Sequence, residues 1–230
     1  MKNKRNYLLV VLILCFVTLS SAQRRKAKGT VNIVNGFSIG GGITSFDILT
    51  DNFSTIEKDG WIVNMSATVE IPHKWFNVSY GMQLSENNIG IASKPLGLTL
   101  SDTSVDYKVF TAQVVFLWHI KLLSEYVTLD VGPMLQYNSD LEIKDDTYEN
   151  AILDGYTTVT ADNIKDINNF NVNGAVGLTA GFSHLKFRAQ YIYGFTNILG
   201  NLNNNDFSDN IDKKFKGNQS MLALTAMFSF

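Results

Sequence analysis

Eight stretches of the chain alternate between apolar and polar residues, and this alternation limits the possible folds more than any other feature. Each stretch is about ten residues or longer, and Asn, Asp, Gly and Ser are common between them. A period of two residues places the apolar side chains on one face of a β-strand. The pattern predicts eight strands, at 31–46, 61–71, 75–85, 107–121, 126–138, 169–182, 185–196 and 218–230.

The apolar face of each predicted strand carries no Asp, Glu, Lys or Arg. In the strand at 107–121, this face consists of Phe110, Ala112, Val114, Phe116, Trp118 and Ile120. A charged side chain at the middle of a bilayer costs about 2–4 kcal/mol, which accounts for the exclusion if the face contacts lipid. We therefore predict an all-β fold, an eight-stranded antiparallel up-and-down transmembrane β-barrel whose polar face lines the interior.

A soluble β-sandwich or a lipocalin-like barrel is the alternative, because its strands alternate in the same way with the apolar face inward. The membrane barrel is favoured by an N-terminal export signal, by the few charges on the polar face, and by aromatic residues near both strand ends. These are Trp61, Tyr137, Phe170 and Phe195 at one end, and Phe76, Trp118, Phe182, Phe187 and Phe230 at the other.

Composition disfavours three other classes of protein. The chain has 19 Lys and Arg against 21 Asp and Glu, which argues against a basic nucleic-acid binder. One Cys cannot supply a disulfide scaffold. With 45% hydrophobic residues in a regular pattern, the chain is also too apolar to be disordered.

The N-terminus has the features of a signal peptide. Residues 1–22 combine a basic start, an apolar run from Leu8 to Leu19 and a small-residue end, so we predict cleavage between Ala22 and Gln23. The apolar run is too short for a membrane-spanning helix, which needs about 20 residues. Cys15 lies inside this run rather than after a small residue at its end, which argues against a lipoprotein.

After the signal peptide, we expect residues 23–30 to form a basic periplasmic tail and residues 31–230 to form the barrel. The predicted links at 72–74, 122–125 and 184 are short, and those at 47–60, 86–106, 139–168 and 197–217 are long. Short periplasmic turns and long extracellular loops are usual in bacterial outer-membrane barrels. With an even number of strands, both termini are then periplasmic.

Additional alternating runs and a proline leave the number and regularity of the strands open. The runs at 89–93, 96–100 and 156–160 also alternate, and they either extend strands or make a ten-stranded barrel. Interruptions at Gly90, Pro95 and Gly97 favour eight strands. Pro133 cannot donate a ladder hydrogen bond, so we expect a β-bulge there.

These features together resemble the small outer-membrane β-barrels of Gram-negative bacteria, of the OmpX, OmpW and OmpA-barrel type, over residues 31–230. The resemblance implies that a C-terminal signal is read by the barrel assembly machinery. Its residues here are Leu222, Leu224, Phe228 and Phe230. The Asn-rich composition and the SSAQ cleavage site are similar to members of the Bacteroidota.

Five ionisable residues of the polar face lie within a few residues of the short turns. They are Glu70, His119, Asp130, Lys186 and Arg188. Unpaired charges inside a narrow barrel are unfavourable, so we predict a hydrogen-bonded ionic cluster that closes the lower lumen. A gate or a proton path is the alternative, although eight-stranded barrels are normally filled by side chains.

The sequence does not indicate an enzyme, a metal site or a cofactor. All His residues, His73, His119 and His184, fall on the predicted short-turn side, away from any serine nucleophile in the long loops. The loop at 139–168 is acidic, and it either binds cations or a basic partner or is a solvated surface. Its acidic residues include Asp145, Asp146, Glu149, Asp154, Asp162 and Asp166.

We therefore predict a non-enzymatic outer-membrane barrel that acts as a scaffold or accessory subunit of an outer-membrane protein complex. Its expected partners are outer-membrane lipid, the barrel assembly machinery and other outer-membrane proteins, and nucleic acid is not among them. The alternative is a small channel or transporter of apolar molecules across the outer membrane.

Overall fold

The computed structural model describes residues 34–71, 74–94, 103–123, 126–182, 184–205 and 214–230. Its strands are β1 (Val34–Thr50), β2 (Thr55–Glu70), β3 (Phe76–Lys94), β4 (Thr103–Leu123), β5 (Val127–Asn138), β6 (Glu142–Ile143), β7 (Ile152–Leu153), β8 (Phe170–Gly181), β9 (Leu185–Gly194) and β10 (Gly217–Ser229). Short 3₁₀-helices at Asp146–Tyr148, Asp162–Ile164 and Gly200–Asn204 lie in two of the loops. None of the described helices is long and apolar enough to cross a membrane. The predicted signal peptide, its cleavage site at Ala22 and Gln23, and the basic tail lie outside the described residues.

Eight strands form a closed antiparallel ring in the order β1-β2-β3-β4-β5-β8-β9-β10, in which β10 pairs again with β1. Stepping from partner to partner once around the ring leads from Asn35 back to β1 at Ser45, ten residues further along. In an eight-stranded barrel this stagger corresponds to a strand tilt of roughly 40°. The predicted eight-stranded barrel is confirmed, and the ten-stranded alternative is wrong because β10 pairs with β1 and closes the ring with eight strands.

Outward side chains of the barrel are apolar and most inward side chains are polar, as predicted, although Val115 and Leu117 on β4 also point inward. On β4, Phe110, Val114 and Trp118 point outward and are 43%, 56% and 41% exposed. The alternating residues Thr111 and Gln113 point inward and are each 1% exposed. This polarity is the reverse of that in a soluble barrel, whose apolar side chains fill the interior.

Strands β1 to β4 are longer than predicted at the end of the barrel opposite the short turns. The predicted loop at 47–60 is mostly strand, and only residues 51–54 link β1 to β2. The run at 89–93 continues β3, whereas the run at 96–100 lies outside the described residues. The run at 156–160 is not a strand, and only Thr160 forms an isolated bridge, with Ile152.

We call the added residues of β1 to β4 the strand extensions. In them, the outward and inward faces exchange polarity. Outward positions there become charged, and inward positions become apolar and fully buried. The outward residues are Asp47, Glu86, Asp106 and Lys108, and the inward residues are Phe46, Ile48, Ile89, Ile91 and Tyr107. Because the prediction required an apolar outward face, it ended the strands where this exchange begins.

The loop between β5 and β8 folds onto the inner faces of the extensions. Its strand β6 pairs with β4, and its strand β7 pairs with β3. Buried loop residues and the strand extensions form one apolar core, which also takes in the link between β9 and β10. We call this core the apolar cap, and its central residues are Phe46, Ile48, Ile89, Ile91, Tyr107, Leu153, Ile164, Leu202 and Phe215.

Pro133 causes no β-bulge, so that prediction is wrong. Pairing between β4 and β5 lapses at Gly132 and Pro133, but the register is the same on both sides of the gap. A Cβ atom at Gly132 would lie 1.9 Å from the carbonyl oxygen of Phe116, so glycine lets the strands stay close where proline removes a donor. The register shift of this strand pair lies between Lys121 and Leu123 instead.

Gly42 is needed where β1 approaches β10. A Cβ atom at Gly42 would lie 1.8 Å from the carbonyl oxygen of Leu224, whereas the nearest atom to a Cβ at the neighbouring Gly41 is 3.5 Å away. We expect Gly42→Ala to lower the free energy of unfolding by about 1–3 kcal/mol, and the control Gly41→Ala to change it by less than about 0.5 kcal/mol. Urea unfolding in detergent micelles measures both, and equal stability of the two variants contradicts the close approach.

Candidate functional site

Asp130 on β5 is the centre of a buried ionic cluster in the lumen near the short turns. Its Oδ1 atom lies 2.6 Å from Nδ1 of His119 on β4 and accepts a hydrogen bond from the Thr128 hydroxyl at 2.7 Å. Its Oδ2 atom accepts from the Thr179 hydroxyl and lies 3.2 Å from Nε of Arg188 on β9. The β4–β5 register places His119 directly opposite Asp130, so the hairpin itself brings these two side chains together.

Arg188 and Asp130 form a charge pair that is almost completely shielded from solvent. Arg188 is 7% exposed and Asp130 is 0% exposed. The Nε atom of Arg188 also donates to the Thr179 hydroxyl at 3.0 Å. Removing one partner of such a pair leaves an uncompensated buried charge, which is strongly unfavourable.

Glu70 and Lys186 lie in the same part of the lumen but outside the hydrogen-bonded cluster. Together with His119 and Arg188 they line a cavity of about 390 Å³ at the short-turn end. Within the described part of the chain, neither Glu70 nor Lys186 has an ion-pair partner within 4.0 Å or a side-chain hydrogen bond. The five residues selected from the sequence therefore separate into His119 and Arg188, which both contact Asp130, and Glu70 and Lys186, which do not.

Ser79 on β3 was not selected from the sequence, and it extends the cluster. Its Oγ atom lies 2.7 Å from Nε2 of His119, so Ser79, His119 and Asp130 follow one another in the order of a hydrolytic triad. A hydrolase also needs an accessible nucleophile and free N–H donors for an oxyanion. Ser79 is 2% exposed and lies in the paired part of β3, so its contact orients His119 within the cluster. The β3–β4 register places Asn77 opposite His119, so the contact of Ser79 is diagonal and has no signal in the sequence.

Amide side chains connect opposite walls of the barrel above the ionic cluster. Nε2 of Gln83 on β3 donates to Oε1 of Gln190 on β9 at 3.3 Å, and Nε2 of Gln219 on β10 donates to Oε1 of Gln136 on β5 at 3.1 Å. Neither pair of strands is adjacent in the ring, so both bonds cross the lumen. All four side chains are at most 4% exposed. Side chains therefore fill the lumen at this level.

Asn side chains hold the loops of the apolar cap in place. The Nδ2 atom of Asn197 donates to the carbonyl oxygen of Phe215 at 2.9 Å. Asn203 binds both backbone groups of Phe215, since its Nδ2 atom donates to the carbonyl and its Oδ1 atom accepts from the N–H. An Asn amide donates and accepts like a peptide group, so a loop rich in Asn can be ordered by its own side chains.

Several acidic residues of the loop between β5 and β8 are engaged within the fold. Asp154 lies 2.9 Å from Nζ of Lys94 on β3, and this hydrogen bond and charge hold the pKa of Asp154 below its usual value. Asp162 pairs with Lys165, which raises the pKa of Lys165. Asp145 caps the first 3₁₀-helix. Among the residues that the structure describes, no group of three or more His, Cys, Asp or Glu is arranged to hold a metal ion.

The residues of the predicted assembly signal lie on β10 and directly after it. Leu222, Leu224, Phe228 and Phe230 point outward and are 44%, 45%, 46% and 72% exposed. The Phe228 and Phe230 rings meet edge to face at 5.1 Å, and the backbone N–H of Phe230 donates to the carbonyl of Phe37 at 2.8 Å. The last residues of the chain thus complete the ring against β1.

No protein-family model and no curated protein matches the chain. Among solved structures, the chain is similar to Neisserial surface protein A, with 11% identity, coverage of 84% of this chain and 97% of that chain, and a TM-score of 0.47. Ail of Yersinia pestis has 12% identity, coverage of 85% and 99%, and a TM-score of 0.42. OprG of Pseudomonas aeruginosa has 10% identity, coverage of 86% and 97%, and a TM-score of 0.44. All three are small outer-membrane β-barrels, and identities this low carry no information on what this chain binds.

Proposed function

We propose that this protein is a non-enzymatic outer-membrane β-barrel that acts as a scaffold or accessory subunit of an outer-membrane protein complex. Its long loops face the outside of the cell and both termini face the periplasm. The observation that carries this proposal is that side chains obstruct the lumen. The apolar outer face of the barrel supports the membrane location, and the described loop between β5 and β8 supports a role in presenting a surface.

The apolar belt on the outside of the barrel matches a bilayer in height. On β4 the outward side chains are apolar from Phe110 to Ile120, which spans about 33 Å along a strand at roughly 3.3 Å per residue. At a tilt of about 40°, this is about 25 Å along the barrel axis, the usual height of the lipid-facing band. Charged Asp106 and Lys108 follow immediately above the belt.

Side chains occupy the lumen at three successive levels. The Asp130 cluster lies near the short turns, the Gln83–Gln190 and Gln136–Gln219 bonds lie above it, and the apolar cap covers the opposite end. An open channel requires a water-filled interior, as in barrels with many more strands. The three levels support a barrel that does not conduct.

Purified protein is expected to give no sustained conductance in planar bilayers, because side chains obstruct the lumen at three levels. Single-channel recording measures this directly, and a large porin reconstituted in the same way is the positive control. Reproducible pores of constant size would contradict the proposal and favour the small channel or transporter.

Ion pairs join the loop between β5 and β8 to the strand extensions at the outer surface. Lys94 on β3 pairs with Asp154 at 2.9 Å, and Lys108 on β4 pairs with Glu142 at 3.0 Å. Beside the loop, an open groove of about 1300 Å³ presents residues such as Asp166. Such a surface is suited to contacts with other outer-membrane proteins.

Purification in mild detergent tests the subunit role. We expect another outer-membrane protein to elute with this chain in constant proportion, and to be lost when the groove residues are changed. A chain that always elutes alone contradicts the subunit role and leaves the barrel assignment intact.

A further inference from the structure

The cavity near the short turns is a chemically distinctive space inside the barrel. It measures about 390 Å³, within the usual size of a small-molecule pocket. It is lined by the charged residues Glu70, Lys186 and Arg188, and by the aromatic residues Tyr126 and Phe182. Charged and aromatic groups therefore face one partly open volume.

Two cationic side chains enter this cavity from the same strand. Lys186 and Arg188 are two residues apart on β9, so both side chains point to the same side, about 7 Å apart along the strand. In the described chain, no carboxylate lies within 4.0 Å of the Lys186 ammonium group. Arg188 uses only its Nε atom on Asp130 and Thr179, and its Nη groups make no hydrogen bond to a described residue.

Unused hydrogen-bond donors select the kind of group that fits. Asp130 and Glu70 together balance the charges of Arg188 and Lys186, but the Lys186 ammonium group and the Nη groups of Arg188 have no hydrogen-bond partner in the described chain. A carboxylate can accept from both, in the planar geometry that arginine favours. A second negative charge on the ligand would be unfavourable, because Glu70 lines the same cavity.

The aromatic residues lie at the end of the cavity next to the turns. Tyr126 precedes β5 and Phe182 follows β8, and their rings meet edge to face at 6.1 Å. They are 55% and 75% exposed, so part of each ring is available for contact. An accessible aromatic ring can pack against an apolar or aromatic group of a ligand.

We propose that this cavity binds a small monocarboxylate with an apolar body, its carboxylate between Lys186 and Arg188 and its body against Tyr126 and Phe182. The role as a scaffold does not require this site, and the site does not require the scaffold role. The ligand enters from the periplasmic side, where the short turns lie.

Binding of para-fluorophenylacetate tests the proposal, with the protein in phosphatidylcholine nanodiscs and fluorine NMR as the readout. Empty nanodiscs correct for partition into lipid, and para-fluorophenylacetamide is the uncharged control. We expect the acid to bind and the amide to bind at least about tenfold more weakly, because a charge-assisted hydrogen bond contributes about 1.5–3 kcal/mol.

Two variants of unpaired residues give opposite expected shifts. Lys186→Gln removes the charged donor and weakens binding of the acid by about tenfold or more. Glu70→Gln removes a like charge from the cavity and strengthens binding by roughly threefold at low salt. No binding above empty nanodiscs, equal binding of acid and amide, or an unchanged affinity of Lys186→Gln would each overturn the proposal.

Discussion

Replacing Arg188 with alanine is expected to lower the free energy of unfolding by about 3–5 kcal/mol, because the substitution leaves the buried carboxylate of Asp130 without its cation. The effect is large because Asp130 is 0% exposed and loses its arginine partner. Urea unfolding in detergent micelles, followed by tryptophan fluorescence, measures the change. Arg188→Met keeps most of the side-chain volume and separates loss of charge from loss of packing.

Lys186→Ala is the matched control for this prediction. Lys186 lies on the same strand and points to the same cavity, but in the described chain it has no ion-pair partner within 4.0 Å. Its truncation is expected to change the free energy of unfolding by less than about 1 kcal/mol. Adding Asp130→Asn to Arg188→Met should restore part of the lost stability, because the unpaired charge is then gone. Unchanged unfolding of Arg188→Ala would show that the cluster does not contribute to stability.

Val114→Arg is expected to destabilise the inserted barrel by about 2–4 kcal/mol, because Val114 points outward near the middle of the apolar belt. The Val114 side chain is 56% exposed and makes few contacts within the protein, so packing contributes little to the expected change. Unfolding from lipid vesicles in urea measures the difference between variant and wild type.

Ser104→Arg is the control on the same strand and the same face. Ser104 lies above the belt, beyond the charged Asp106 and Lys108, where an added arginine meets water. We expect a change below about 0.5 kcal/mol. If Val114→Arg and Ser104→Arg have equal effects, the belt does not contact lipid and the proposed membrane location is wrong.

Much of the barrel was predictable from local patterns. The strands at 126–138, 169–182 and 185–196 agree closely with β5, β8 and β9, because one lipid-facing side forces a period of two over their whole length. The prediction was wrong for residues 47–60, where β1 and β2 continue. There the outward face meets water and the inward face packs against loops, so the same period has the opposite polarity.

The ionic cluster was predictable in part. Inward position and closeness to the short turns selected Asp130 together with His119 and Arg188, which both contact it. The same criteria selected Glu70 and Lys186, which do not join them, because barrel stagger decides which inward residues meet across the lumen. Ser79 was missed because a serine on a polar face has no distinguishing pattern until its strand register is known.

The sequence by itself indicated eight barrel strands, with ten as the alternative, and the apolar face of each strand, since these depend on neighbours along one strand. Only the tertiary structure decided that Gln83 meets Gln190, that the loop between β5 and β8 covers the strand extensions, and that Arg188 meets Asp130. Those contacts join residues far apart in the chain, and they depend on the ten-residue stagger that closes the ring. A period of two residues says which face a side chain is on, but the partner it meets across the lumen follows from closure.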